Sequence, residues 1–117
     1  MLSITMPRGD TKVIRFQIYD PSTGEITQTD FDEIYFSVKR NVNDRDVLFQ
    51  KRLSSGEIEK LGIGDYQIKI DGIDTDPLDF NRTYPFDIEL IYNGDKKTEY
   101  GEMELTPEVT CVWNEVG

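Results

Sequence analysis

Four closely spaced aspartates, Asp71, Asp74, Asp76 and Asp79, form one cluster of residue types that could do chemistry. Such a group could supply the six to eight oxygens that calcium takes. The stretch lacks the alternating acidic spacing, central glycine and terminal glutamate of an EF-hand loop. The competing reading is a solvated turn in which the aspartates cap backbone amides. Nothing comparable points to catalysis. The chain has no histidine, so the usual general base and commonest metal ligand is missing. Its one cysteine, Cys111, has no imidazole to activate it. Carboxylates are plentiful, at 23, but so dispersed that no pair stands out as the acid and base of a glycosidase. We therefore expect no catalytic residue, no cofactor and no enzymatic activity.

The remaining candidates concern recognition. Arg8-Gly9-Asp10 spells an adhesion tripeptide, but it sits between two strand patterns and reads more simply as the bend between them. Asn81-Arg82-Thr83 satisfies the glycosylation sequon, which matters only in a secreted eukaryotic chain. Trp113 and Val112, with Val109, make an apolar patch after the last strand pattern, suited to packing on the same domain or on a neighbour. A carbohydrate-binding surface would need a line of exposed aromatics. Tyr35, Tyr92, Tyr100 and Trp113 are the residues available, and Tyr35 is the best placed to face outward.

Charge narrows the partners. A net charge of −10 repels phosphate backbones and anionic lipid, so nucleic acid and membrane surfaces are poor partners. A single cysteine permits no intrachain disulfide, so packing must hold the fold. No stretch approaches the ~20 apolar residues of a membrane span. Residues 1–7 are too short and polar for a secretory signal, which suggests a chain that folds in the cytoplasm.

The elements that would position these residues are strands. Alanine, the best helix former, is absent altogether. Apolar residues recur with period two at Ile14, Phe16 and Ile18; at Ile34, Phe36 and Val38; at Tyr66, Ile68 and Ile70; and at Phe86, Ile88 and Leu90. Each set gives one apolar and one wet face, as in antiparallel sheets over a core. Weaker strands are expected at Leu2–Met6, at Val47–Leu53 as a sheet edge, and at Thr98–Leu105 with Met103 and Leu105 inward. Asn93-Gly94 predicts a two-residue hairpin. Gly62-Ile63-Gly64 punctuates the entry to the Tyr66 strand, and Asp20-Pro21-Ser22-Thr23-Gly24 reads as a turn. One helical turn is expected near Asp74–Phe80, with Asp76 as cap and Pro77 first in the helix. Another short turn is expected within Ser54–Leu61. Residues 1–117 thus read as a single all-β domain, an antiparallel sandwich of about seven strands. We expect Ile14, Phe16, Ile18, Phe36, Val38, Tyr66, Ile68, Phe86, Ile88 and Leu90 in its core.

Several stretches carry a family likeness: Ile4 with Arg8-Gly9-Asp10-Thr11; Ile34-Tyr35-Phe36-Ser37-Val38-Lys39; Asp46-Val47-Leu48-Phe49-Gln50-Lys51; Gly64-Asp65-Tyr66; and Gly101-Glu102-Met103-Glu104-Leu105-Thr106-Pro107-Glu108-Val109-Thr110. Along nearly its whole length the chain resembles the small immunoglobulin-like domains of tailed-phage and prophage proteins, notably the N-terminal domain of baseplate upper proteins. The resemblance implies an immunoglobulin-like sandwich and a structural role in a tail, baseplate or neck. It also implies contacts with other virion proteins and with copies of the same chain, and assembly in the bacterial host cytoplasm. It carries over no catalytic residue. Related proteins often continue into a further domain where this chain ends at Gly117.

Overall fold

The structure, a computed structural model, describes residues 2–79 and 81–106. Eight strands and one helical turn follow in chain order: β1 (Leu2–Pro7), β2 (Lys12–Gln17), β3 (Glu33–Val38), β4 (Phe49–Arg52), β5 (Ile58–Gly62), β6 (Asp65–Ile70), α1 (Gly72–Thr75), β7 (Arg82–Tyr92) and β8 (Asp95–Thr106). They form a five-stranded sheet in the order β1-β8-β7-β3-β4 and a three-stranded sheet in the order β2-β6-β5. These two sheets make the expected β-sandwich. The orders match the G-F-C-C′ and B-E-D sheets of an immunoglobulin variable-type domain, with β1 as the first strand lying beside the last. All pairings are antiparallel except β1 with β8, which is parallel from Leu2↔Gly101 to Pro7↔Thr106.

The inward faces interdigitate over Ile34, Phe36 and Val38 of β3, Ile68 and Ile70 of β6, Tyr84 and Phe86 of β7, and Met103 and Leu105 of β8. The Phe36 ring packs at a tilt against Phe86, centroids 5.1 Å apart, which extends the ring packing across neighbouring strands. Tyr84, fully buried near the start of β7, accepts a 2.8 Å hydrogen bond at its hydroxyl from the Asp79 N–H, five residues upstream. This is the tyrosine corner of immunoglobulin-like sandwiches, where one phenol closes the arch between the two sheets.

Three expectations are corrected. The eighth strand, β5, falls in the Ser54–Leu61 stretch expected to be only a turn. Its two apolar residues, Ile58 and Leu61, are three apart, and a register shift between Lys60 and Gly62 breaks the alternation. The helical turn begins earlier than expected, with Asp71 as N-cap and Asp76 at its C-terminal cap, because Asp74 reaches back to accept from the Asp71 N–H at 2.8 Å. Ile14, Phe16 and Ile18 have the expected alternation but are only half-buried. They lie on or just beyond β2, the outer strand of the smaller sheet, which leaves part of the larger one uncovered. The Asn93-Gly94 hairpin forms as expected, with φ of 53° and 80°.

Candidate binding cleft on the open flank

The uncovered side of the sandwich is the candidate site. Between β2 and the upper halves of β7 and β8 lies a cleft of two neighbouring cavities, about 320 Å³ and 220 Å³, which share Ile18, Tyr19, Leu90 and Lys97 in their walls. The inner cavity has an apolar floor of Leu2, Phe16, Ile18, Ile88 and Leu90, with Gln17, Tyr19, Lys97 and Glu99 completing its lining. The outer one opens between the chain leaving β2 and the β7–β8 hairpin, over Ile18, Phe31 and Leu90. Tyr19 and Tyr92 both line the outer cavity, 55% and 46% exposed. Thr27, Thr29, Asp20 and Lys97 add hydroxyls and charges to its wall. An apolar floor with a few placed polar groups is the usual make-up of a ligand pocket.

Local chemistry fixes the rim. The Tyr19 hydroxyl donates to Gln17 Oε1 at 2.8 Å, and Tyr19 bridges to Ile26 to close the loop. Ser22 donates its hydroxyl (2.6 Å) and its N–H (2.9 Å) to Asp20 Oδ1. These bonds hold the Asp20 carboxyl below the usual carboxylate range, with Lys97 adding a smaller pull. Arg15, on β2, grips Asp65 of β6 through two nitrogens at 2.9 and 2.5 Å. That bidentate bond and the guanidinium charge lower the Asp65 carboxyl as well.

The opposite flank is closed. Lys51 of β4 turns inward, 8% exposed at its side chain. Its ammonium lies 2.7 Å from Asp74 and 3.9 Å from Asp71, with the Phe49 ring at 5.9 Å. This pins the edge strand β4 to α1. Asp71 also meets Lys69, and Asp79 lies between Arg40 and Arg82. Three of the four clustered aspartates therefore face lysine or arginine, and the two nearest one another, Asp71 and Asp74, share the Lys51 ammonium. Among the described residues no three His, Cys, Asp or Glu side chains are grouped to hold a metal ion.

The tripeptide Arg8-Gly9-Asp10 is a turn docked on α1. Gly9, at φ 84°, donates its N–H to Thr75 Oγ1 at 2.8 Å, and Arg8 donates to the Leu78 carbonyl at 3.3 Å. Gly72 packs so closely on the Gly9 carbonyl that a side chain there would collide with it. Tyr35 lies on the outer face of β3 but is half-buried, with the Arg52 guanidinium 5.5 Å from its ring. Tyr100 is 60% exposed on β8. Trp113, Val112 and Cys111 lie outside the described residues. Sequence reasoning missed Tyr19, whose place in an alternating strand hid its position at a cleft mouth. It also missed Asp87, buried on the outer face of β7 with Oδ2 3.4 Å from Lys39 and Oδ1 without a hydrogen-bond partner among the described residues.

Neither a scan against protein-family models nor a search of curated proteins finds a match to this chain. Among solved structures, the chain is similar to part of the endo-β-1,4-mannanase from Thermotoga petrophila, at 18% identity and a TM-score of 0.55. The match covers 91% of this chain and 18% of the mannanase chain. At that identity the likeness is one of fold.

Proposed function

We propose that the protein is a non-enzymatic structural and assembly module of a phage or prophage virion, working through contacts with other virion proteins and with copies of itself. The virion setting rests on the sequence resemblance. The observation that carries the assembly reading is the open flank, where an apolar cleft lies beside strand edges of β2 and upper β8 that no other described strand pairs. An unpaired edge beside an apolar groove is a template for main-chain pairing with another chain. Light scattering after size exclusion, over a range of concentration and salt, tests it. A discrete oligomer of any order is the expected result. A monomer throughout that also fails to bind candidate tail proteins would contradict it.

A carbohydrate- or cell-surface-binding role is the second reading, favoured by the two exposed tyrosines that line one cleft with hydroxyl and charged groups. The fold likeness to part of a mannanase is compatible with it. A glycan array separates the two readings. Specific binding that disappears in both Tyr19→Ala and Tyr92→Ala would favour the second.

A further inference from the structure

The upper half of β8 is one edge of the open flank. β1 begins beside Gly101, so Asp95–Tyr100 pairs with β7 on one side and with no described strand on the other. The hairpin geometry shows which backbone groups are free. In a two-residue hairpin the residues flanking the turn, here Tyr92 and Asp95, exchange both backbone hydrogen bonds, and the pattern then alternates. Asp95, Lys97 and Glu99 therefore turn their N–H and C=O toward β7. Lys96, Thr98 and Tyr100 turn theirs toward the free edge.

We propose that this edge pairs with the same edge of a second copy, antiparallel and about a two-fold axis at Thr98, to give a continuous ten-stranded sheet. The proposal rests on the assembly reading above and names its contact. A two-fold axis perpendicular to the sheet keeps the inner faces on the same side, so opposed residues must belong to the same face. Two registers then place most of the free edge in contact. Centred on Lys97, the pairing sets that lysine against itself and Asp95 against Glu99, so every inner-face pair joins like charges, and Lys96 meets only Thr98. Centred on Thr98, it sets Lys97 against Glu99 of the second copy, twice by symmetry, and Thr98 against Thr98. It also sets Lys96 against Tyr100, which gives that exposed ring a partner. Opposite charges and paired threonines stabilise directly opposed positions, and like charges destabilise them. The stretch Lys96-Lys97-Thr98-Glu99-Tyr100 is thus complementary to itself in this register alone. Thr98 and its mate form a hydrogen-bonded pair, while Lys97 and Glu99 form the closer non-hydrogen-bonded one, where side chains approach best. β1, which begins beside Gly101, limits the paired stretch to Lys96–Tyr100, and Asp95 of the incoming strand must turn aside from Leu2.

The test uses the full chain and sedimentation equilibrium. Lys97→Glu and Glu99→Lys should each weaken self-association by about tenfold, since each turns two attractive pairs repulsive. Mixing the two single variants should restore a dimer between them, because each repulsive pair becomes attractive again. Thr98→Cys in a Cys111→Ser background should form a disulfide across the axis under mild oxidation, since Cα atoms of such a pair lie about 5.5 Å apart. Circular dichroism of each variant confirms that it folds. Self-association that neither reversal changes overturns this contact while leaving the assembly reading intact. So does a mixture that fails to recover, and so does a wild-type chain that is monomeric at every concentration.

Discussion

The two flanks of the sandwich use similar side chains to opposite ends. On the closed flank, Lys51 is buried against Asp74, and Asp71 is shared between Lys51 and Lys69, so the charges tie an edge strand to α1. On the open flank, Lys97, Asp20, Tyr19 and Tyr92 stand around a cleft whose apolar floor no described strand covers. A charge taken out of water must be paired to be tolerated, so the first group belongs to stability. The second group remains available to a partner. A dense acidic cluster in the sequence is thus a poor guide to a site until the positions of the lysines are known.

The largest effect that would break this contrast is on the closed side. Lys51→Ala should destabilise the fold by about 3 kcal/mol in urea unfolding, because it leaves Asp74 without its buried partner. Lys97→Ala on the open side should stay within about 0.5 kcal/mol of wild type. Equal losses at the two positions would erase the distinction. Next in size is Tyr84→Phe, which strands the Asp79 N–H and should cost about 1–2 kcal/mol. A neutral result there would remove the tyrosine corner from the account.

Acid sharpens the comparison further. Asp65 and Asp20 are held below their ordinary value of 3.8, chiefly by Arg15 and Ser22 respectively. Glu33 is partly desolvated, which raises its carboxyl, but donation from Ser54 together with the Ile34 and Leu53 amides outweighs this and leaves it below 4.5. Carboxyls with depressed folded values contribute stability that is complete above the unfolded values and is lost as pH falls through the folded ones. The melting temperature should therefore hold down to about pH 5 and fall below about pH 4. Asp65→Asn should show a shallower fall, since the Arg15 contact no longer titrates. The smallest expected change is in Tyr19→Ala and Tyr92→Ala, which should unfold within about 0.5 kcal/mol of wild type. A large loss in either would make the rim tyrosines part of the fold.

Most of the architecture was legible because the alternation in β3, β6 and β7 is uninterrupted and Asn93-Gly94 admits few other conformations. β5 was not legible, because its bulge and its two widely spaced apolar residues imitate a helical period. The depth of burial at Ile14, Phe16 and Ile18 was not legible either. Alternation shows which face is apolar, whereas burial depends on how far the opposing sheet extends. The cleft follows from that same mismatch in sheet width, which appears only once the strand order is known. The closed flank escaped for a related reason: Lys51 and Asp74 are distant in sequence, and only the fold brings them together.

Hydrogen exchange of the full chain at low and high concentration tests the central claim, that the open flank binds and the closed flank holds. The account predicts that added protection at high concentration appears at the amides of Lys96, Thr98 and Tyr100 and around the cleft, with β4 and α1 unchanged. Protection gained at β4 and α1 instead would contradict it, as would full protection of the β8 edge already at high dilution.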